Sequence, residues 1–340
     1  MKSNKQKSNK EVEGLELDVN DEYEDNPLAK SDCSEVKPIY RYQRYKDLLG
    51  EIRDSLEETD LAGEPCCLGI EGEKGAGKTT LAKDYISLYP RIETECGTEI
   101  PVLYVETPSP VTVGGMASHL LKVLGDPAWD KGTLPQMNSR LCDLIKDCKV
   151  KLIVLDDFHH LIDSETQHVL NKVADWLKVL IKNTNVPFLM ISITGKIELI
   201  LEENAQLSRL FQTPLHLEPF TWDTKKTETI KEFSDFLGFV EQARLPLSKD
   251  LPRSEIIRRI YYATRGIVAN IMNLFNRATV IANHHDRQDI ELEDLKVACQ
   301  KRLYRHAKLR ANPFDIDADI TFLPPDPPYL QYVWKKKEEK

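Results

Sequence analysis

Residues 72–79 read Gly-Glu-Lys-Gly-Ala-Gly-Lys-Thr, the pattern GxxxxGK[ST], between two stretches of different periodicity. Before them runs an apolar segment, Cys67, Leu68, Gly69 and Ile70; after them Leu81, Ala82, Tyr85 and Ile86 recur at helical spacing. The bare pattern would arise by chance in about one chain of this length in a hundred at ordinary glycine frequency. Its weight therefore comes from the context, a strand entering a glycine loop that opens a helix. Glycine is needed where backbone N–H groups must close on a phosphate with no Cβ in the way, and the helix start adds its positive end. Gly72, Glu73, Lys74, Gly75, Ala76 and Gly77 are thus expected to wrap the phosphates of ATP, with Thr80 beside them. Lys78 would hold the β and γ phosphates as a point charge, and Thr79 would place its hydroxyl on Mg2+.

A second signal follows at 151–160, Lys-Leu-Ile-Val-Leu-Asp-Asp-Phe-His-His. An apolar run ending in an acid pair suits a strand that delivers Asp156 to the Mg2+ shell and Asp157 to the γ-phosphate side. Asp157 is a candidate general base, and an aspartate there reaches about 1.5 Å less far than a glutamate would. A base must come within hydrogen-bond distance of its water, so slow hydrolysis is expected. His159 and His160 have no partner at metal-ligand spacing and are expected to be structural.

Five short apolar runs, at 66–70, 101–105, 151–155, 186–193 and 214–217, alternate with segments of helical spacing. Alternation of this kind predicts an α/β fold, a five-stranded parallel sheet sandwiched by helices, because parallel strands need crossover connections. An amphipathic helix before it is expected from Tyr40, Tyr42, Tyr45, Leu48, Leu49 and Ile52. After Phe220 only helical patterns remain, at 225–237, 253–263, 266–281 and 292–309, which predicts a small all-helical lid. The expected division is an acidic tail at 1–36, an ATPase subdomain at 37–220, a helical lid at 221–310 and a tail at 311–340.

Three polar residues stand where an ATPase working between subunits needs them. Thr194, preferred over Ser192, follows the fourth main strand and can orient the attacking water. Arg209, in Gln-Leu-Ser-Arg-Leu-Phe, precedes the fifth strand and can reach a neighbouring subunit's γ-phosphate. Arg265, at the head of the apolar helix 266–281, can touch the phosphates from the lid.

Composition removes other classes. With 46 Lys and Arg against 55 Asp and Glu the net charge is −9, an argument against nucleic acid as a partner until its distribution is read. Residues 1–36 hold five lysines and ten acids, so the remainder carries only −4. No apolar run approaches the ~18 residues of a spanning helix, and the polar, lysine-rich N-terminus lacks the apolar stretch of a signal peptide. Seven cysteines without a CxxC pair fit a reducing cytoplasm. The tail 322–340 holds Pro324, Pro325, Pro327 and Pro328, then Tyr329, Tyr332, Trp334 and three lysines, and is expected to dock a partner.

GEKGAGKT, LIVLDDFHH, the strand ending SITG, QLSRLF, LHLEPFTWD (215–223) and ANPFD (311–315) together resemble the TniB and TnsC family over residues 38–316. These are AAA+ ATPases of bacterial transposons, with IstB more distant. The resemblance implies the AAA+ fold, with ATP bound at subunit interfaces and a homo-oligomeric ring or helical filament around duplex DNA. It implies two further partners, a DDE transposase of the TnsB or TniA kind and a target selector of the TniQ or TnsD kind. Asp157 stands where the family usually has Glu.

In an AAA+ ring the loops after the second strand line the pore, so Thr112, Lys131 and Thr133 are expected on DNA phosphates without sequence preference. The acid-free run Lys296, Lys301, Arg302, Arg305, Lys308 and Arg310 is either a second phosphate patch or a solvated helix face. Two rivals share the loop. A helicase loader or replication initiator of the IstB or DnaC type would need a helicase-binding module, which the acidic tail does not resemble. A small-molecule kinase would need neither the lid nor Arg209.

Overall fold

The computed structural model describes residues 38–95, 97–162, 166–249, 252–303 and 311–317. The acidic tail 1–36, the basic stretch 304–310 and the aromatic tail 322–340 lie outside the described residues. Among the described residues, those from Arg41 onward form one compact unit.

In order, the elements are α1 (Gln43–Ala62), β1 (Leu68–Glu71), α2 (Lys78–Ser87), β2 (Ile92–Thr94), β3 (Gly97–Glu99), β4 (Val102–Glu106), α3 (Val113–Leu124) and α4 (Leu134–Asp147). There follow β5 (Leu152–Asp156), a 3-10 turn (Phe158–Ile162), α5 (Gln167–Thr184), β6 (Phe188–Ser192), α6 (Lys196–Glu203), α7 (Ala205–Ser208) and β7 (Leu215–His216). Four helices close the fold, α8 (Thr227–Ala243), α9 (Arg253–Thr264), α10 (Val268–His284) and α11 (Leu292–Arg302).

All five expected runs become strands of one parallel sheet, ordered β4-β5-β6-β1-β7. Strand starts are trimmed where proline, lacking an N–H, precedes the ladder: Pro101 before β4, Pro187 before β6 and Pro214 before β7. The sheet is buried on both sides. Leu103, Val105, Ile153, Leu155, Phe188 and Met190 join one apolar cluster with α3, α4, α5, α6 and α7. Their alternates Leu152, Val154, Leu189 and Ile191 are equally buried outside that cluster, as the period of two requires, and α2 packs against β5.

The antiparallel pair β2–β3 was not foreseen in the sequence. Its residues are mostly exposed and carry no apolar alternation; Thr98 Oγ1 donates to Glu93 at 2.6 Å and Arg91 Nε to the same carboxylate at 3.0 Å.

In the helical part, α10 begins at Val268, two residues later than expected, because Gly266 is left-handed (φ 68) and Ile267 is the cap. The phrase 311–315 is folded onto these helices. Phe314 is 1% exposed, and the buried Arg259 donates from Nη1 to the carbonyls of Pro313 (2.6 Å) and Asp315 (2.8 Å). Within the acid-free run, Lys296 Nζ pairs with Asp315 at 2.8 Å, so its charge is already met.

Candidate active site

The sheet reverses direction of travel at β1: the chain leaves it for the far edge at β4 and returns to its other side as β7. In open parallel sheets ligands bind at the carboxyl ends of strands beside such a switch. The loop 72–77 stands there, between Glu71 and the first residue of α2.

Gly75 (φ 86) and Gly77 (φ 107) adopt left-handed backbone that side chains resist. Gly72 is needed for space, since a Cβ there would stand 2.4 Å from the Leu217 carbonyl oxygen. Lys78 is 7% exposed, and its Nζ donates to the carbonyls of Gly72 (2.8 Å) and Glu73 (3.0 Å). Burial lowers its pKa, and the negative charges of Asp157, Asp156, Glu71 and Glu73 oppose that fall. Thr79 is half-buried in the first turn of α2, Ala76 is buried, and Lys74 and Thr80 are exposed.

Asp156, fully buried, ends β5; its Oδ2 accepts from Tyr104 Oη and its Oδ1 from the Asp157 N–H, both at 2.9 Å. Burial, and then the Asp156 charge, drive the Tyr104 phenol far above its ordinary value, so it stays a donor. Asp157 turns the chain with φ 50, and His159 Nδ1 lies 4.0 Å from its Oδ1. The His159 and His160 rings sit 4.2 Å apart in the 3-10 turn.

Two buried hydroxyls flank Asp156 on the neighbouring strands. The side-chain hydroxyls of Thr107, just past β4, and Ser192, ending β6, have no hydrogen-bond partner among the described residues. Thr194 is half-buried in the turn before α6. Arg209 is exposed at the end of α7; its backbone N–H donates to the Leu207 carbonyl, and among the described residues its side chain makes no hydrogen bond or ion pair.

Arg265 sits somewhat differently from its expected place at a helix head. It caps the end of α9 in left-handed conformation (φ 54), and the linker to α10 is pressed onto the rest of the fold. A Cβ at Gly266 would stand 2.0 Å from the Phe220 carbonyl oxygen, and the Phe220 N–H donates to the Gly266 carbonyl at 3.0 Å. The Ala269 N–H donates to the Gly75 carbonyl at 3.0 Å, so α10 rests directly on the phosphate loop. Burial raises the pKa of Glu73, and the charges of Arg265 and then Lys78 pull it back.

Glu71 was missed. Fully buried, it accepts from the Gly195 N–H at Oε2 (2.8 Å) and the Ile197 N–H at Oε1 (2.6 Å). The available signal was an acid closing an otherwise apolar strand, Leu-Gly-Ile-Glu. Tyr104 was missed as well, since its partner lies 52 residues away.

The three residues expected on DNA are all exposed, Thr112 at the start of α3 and Lys131 and Thr133 at the start of α4. Thr112 Oγ1 accepts from the Gly115 N–H at 3.2 Å, and the Thr133 N–H donates to Gln136 Oε1 at 2.8 Å, so each begins a helix. Between the helices Arg140 braces the loop, donating to Asp126 Oδ2 (2.8 Å), the Ala128 carbonyl (2.9 Å) and the Lys131 carbonyl (2.8 Å). Lys122 Nζ lies 4.9 Å from the centre of the Trp129 ring held by that loop.

The fold is that of the AAA+ proteins. The Aeropyrum pernix ORC2 protein, solved as ADPNP-ADP complexes, is similar with a TM-score of 0.55 at 15% identity, over 80% of this chain and 70% of that one. Cdc6p from Pyrobaculum aerophilum gives 0.56 at 16%, over 78% and 70%. The Aeropyrum pernix ORC1 protein, solved in complex with DNA, gives 0.52 at 17%, over 77% and 65%. No curated protein sequence matches the chain. The model of the bacterial TniB protein matches residues 34–222, which include the phosphate loop, the Asp156-Asp157 strand and Arg209 and make up more than half of the sequence: the chain belongs to the TniB family.

Proposed function

We propose that the chain is an ATPase regulating DNA transposition, which assembles on duplex DNA with ATP and links a target-site selector to a DDE transposase. The observation that carries this reading is the phosphate loop with Lys78 buried among Asp156, Asp157, Glu71 and Glu73, in a chain of the TniB family.

The residues fit ATP and Mg2+. The glycine loop takes left-handed backbone at Gly75 and Gly77, the carboxylates outnumber the cations Lys78 and Arg265, and among the described residues the Thr107 and Ser192 hydroxyls near Asp156 are unused. Among the described residues no cluster of His, Cys, Asp or Glu forms a metal cage. That suits Mg2+, which binds through one or two protein groups plus phosphates; Thr79 and Asp156 would hold it. Mg2+ there would neutralise charge building on the transferred phosphate.

Lys78 and Arg265 grip the phosphates, the latter from the lid, so lid position and nucleotide state are linked. Asp157 takes the proton of the attacking water, and Thr194 orients that water. Arg209, exposed and without a side-chain partner among the described residues, acts on the site of a second copy in a homo-oligomeric ring or helical filament. Thr112, Lys131 and Thr133 touch DNA phosphates, and the aromatic tail docks a partner. The reading places the protein in the bacterial cytoplasm; among the described residues no helix is long and apolar enough to cross a membrane. The replication-initiator alternative rests on fold similarity alone.

The test is electron microscopy with duplex DNA and a non-hydrolysable ATP analogue. Rings or filaments that vanish in Lys78→Ala are expected; monomers under both conditions would overturn the reading.

A further inference from the structure

We infer that Glu71 is a positioning residue for hydrolysis: its carboxylate ties the phosphate loop to the turn carrying Thr194, so that loop and water-orienting hydroxyl keep one fixed spacing. The inference rests on the ATPase reading and adds to it a residue that no motif contains.

Glu71 ends β1 and is bonded to Gly72, the first residue of the loop. Its backbone is held on both sides: it is in register with Ser192 of β6 and His216 of β7, and its carbonyl accepts from the Leu217 N–H at 2.8 Å. The side chain then spans to α6, spending both oxygens on the N–H groups of Gly195 and Ile197. These are two of the donors that a helix start leaves unmatched. Gly195 immediately follows Thr194, so one carboxylate connects the two ends of the candidate site.

An ordinary cap would be cheaper. Ser, Thr, Asp or Asn at the cap position would satisfy the Ile197 N–H locally, though not the cap residue's own N–H. Here the cap is Gly195, left-handed (φ 82) and without a side chain, and the acceptor comes from a neighbouring strand 124 residues earlier. Burying a carboxylate at the end of an inner strand works against its charge. Burial does raise the Glu71 pKa, while the two N–H donors and His216 lower it again. The same charge helps keep Lys78 cationic. A local cap would serve α6 as well; only the strand-end carboxylate also fixes Thr194 relative to the loop.

Glu71→Gln tests this, since it keeps the volume but turns an NH2 group toward one of the two donors. Affinity for a fluorescent ATP analogue should stay within about threefold, while single-turnover hydrolysis on DNA falls about 10- to 100-fold, the scale of a misplaced reacting group. Made in a Thr194→Ala background, the same change should cost little more, because the two residues act as one unit. Equal losses of affinity and rate, or fully multiplicative losses in the double variant, would make Glu71 a plain structural cap and overturn the inference.

If Glu71→Gln does not fold, amide exchange at residues 195 and 197 of the wild type decides. Protection that changes when the analogue binds supports the coupling, and identical protection overturns it. A wild type with no Lys78-dependent nucleotide binding or hydrolysis would sink the ATPase reading and this inference with it. A hydrolysing wild type matched by Glu71→Gln would sink only the inference.

Discussion

Lys78 is a buried ammonium whose pKa is lowered by desolvation and supported by four carboxylates. A lysine must be charged to hold phosphates. Below its free-protein pKa affinity is therefore flat with pH; above it, binding must take up a proton and weakens up to tenfold per pH unit, about 1.4 kcal/mol. The predicted bend lies below the ordinary lysine value of 10.5 and is read from equilibrium titrations of an ATP analogue across alkaline pH. Gly72→Ala forces a Cβ to 2.4 Å from a backbone oxygen that cannot swing aside. It should lower stability by about 1–3 kcal/mol, the range of overpacking, in denaturant melts, and weaken nucleotide binding. Lys78, Thr79 and Asp156 were legible in the sequence because their spacing follows from one strand–loop–helix junction and one strand end. Glu71 and Tyr104 were not, since their chemistry depends on strands brought side by side from 124 and 52 residues away.

The inner strands β1, β5 and β6 could be read because burial on both faces demands a continuous apolar run, and prolines mark where β4, β6 and β7 begin. The hairpin β2–β3 has no such signature: it is exposed and held by its own polar side chains, so nothing in its hydropathy separates it from a loop. Two elements have consequences that can be measured. Phe314 fills a fully enclosed site at the end of the phrase 311–315, and Phe314→Ala should cost about 3–5 kcal/mol by the large-to-small scale, seen in denaturant unfolding. The loop between α3 and α4 depends on Arg140 and Asp126. The Arg140 hydrogen bond, then the Ala128 N–H, hold the Asp126 carboxyl below its usual 3.8, so its folded pKa is under the unfolded one. Stability from this contact is thus complete above about pH 4 and is lost as pH falls through the lower, folded value. Arg140→Ala should flatten that acid limb in melting temperatures and speed proteolysis at 126–131.

At the level of the whole molecule the net charge of −9 says little about DNA, because −5 of it belongs to residues 1–36 and residues 37–340 carry only −4. In the proposed assembly each site takes its arginine finger from a neighbour: Arg209 is exposed just past α7 with no side-chain partner among the described residues, while Asp157 follows the carboxyl end of β5. If the arginine acts on the next copy, each site needs Asp157 from one subunit and Arg209 from another. Asp157→Asn is expected to assemble on DNA with ATP and to stop phosphate release, and Arg209→Ala to lose hydrolysis by about 1000-fold or more, the scale of an arginine finger. Mixed in equal amounts before assembly, the two inactive proteins should regain about a quarter of wild-type turnover, since a head-to-tail interface draws each contributor at random. No recovery in co-assembled mixtures would mean that Arg209 serves its own subunit or none. Recovery would show that catalysis is a property of the interface, and that ordered neighbours on DNA are a condition of hydrolysis.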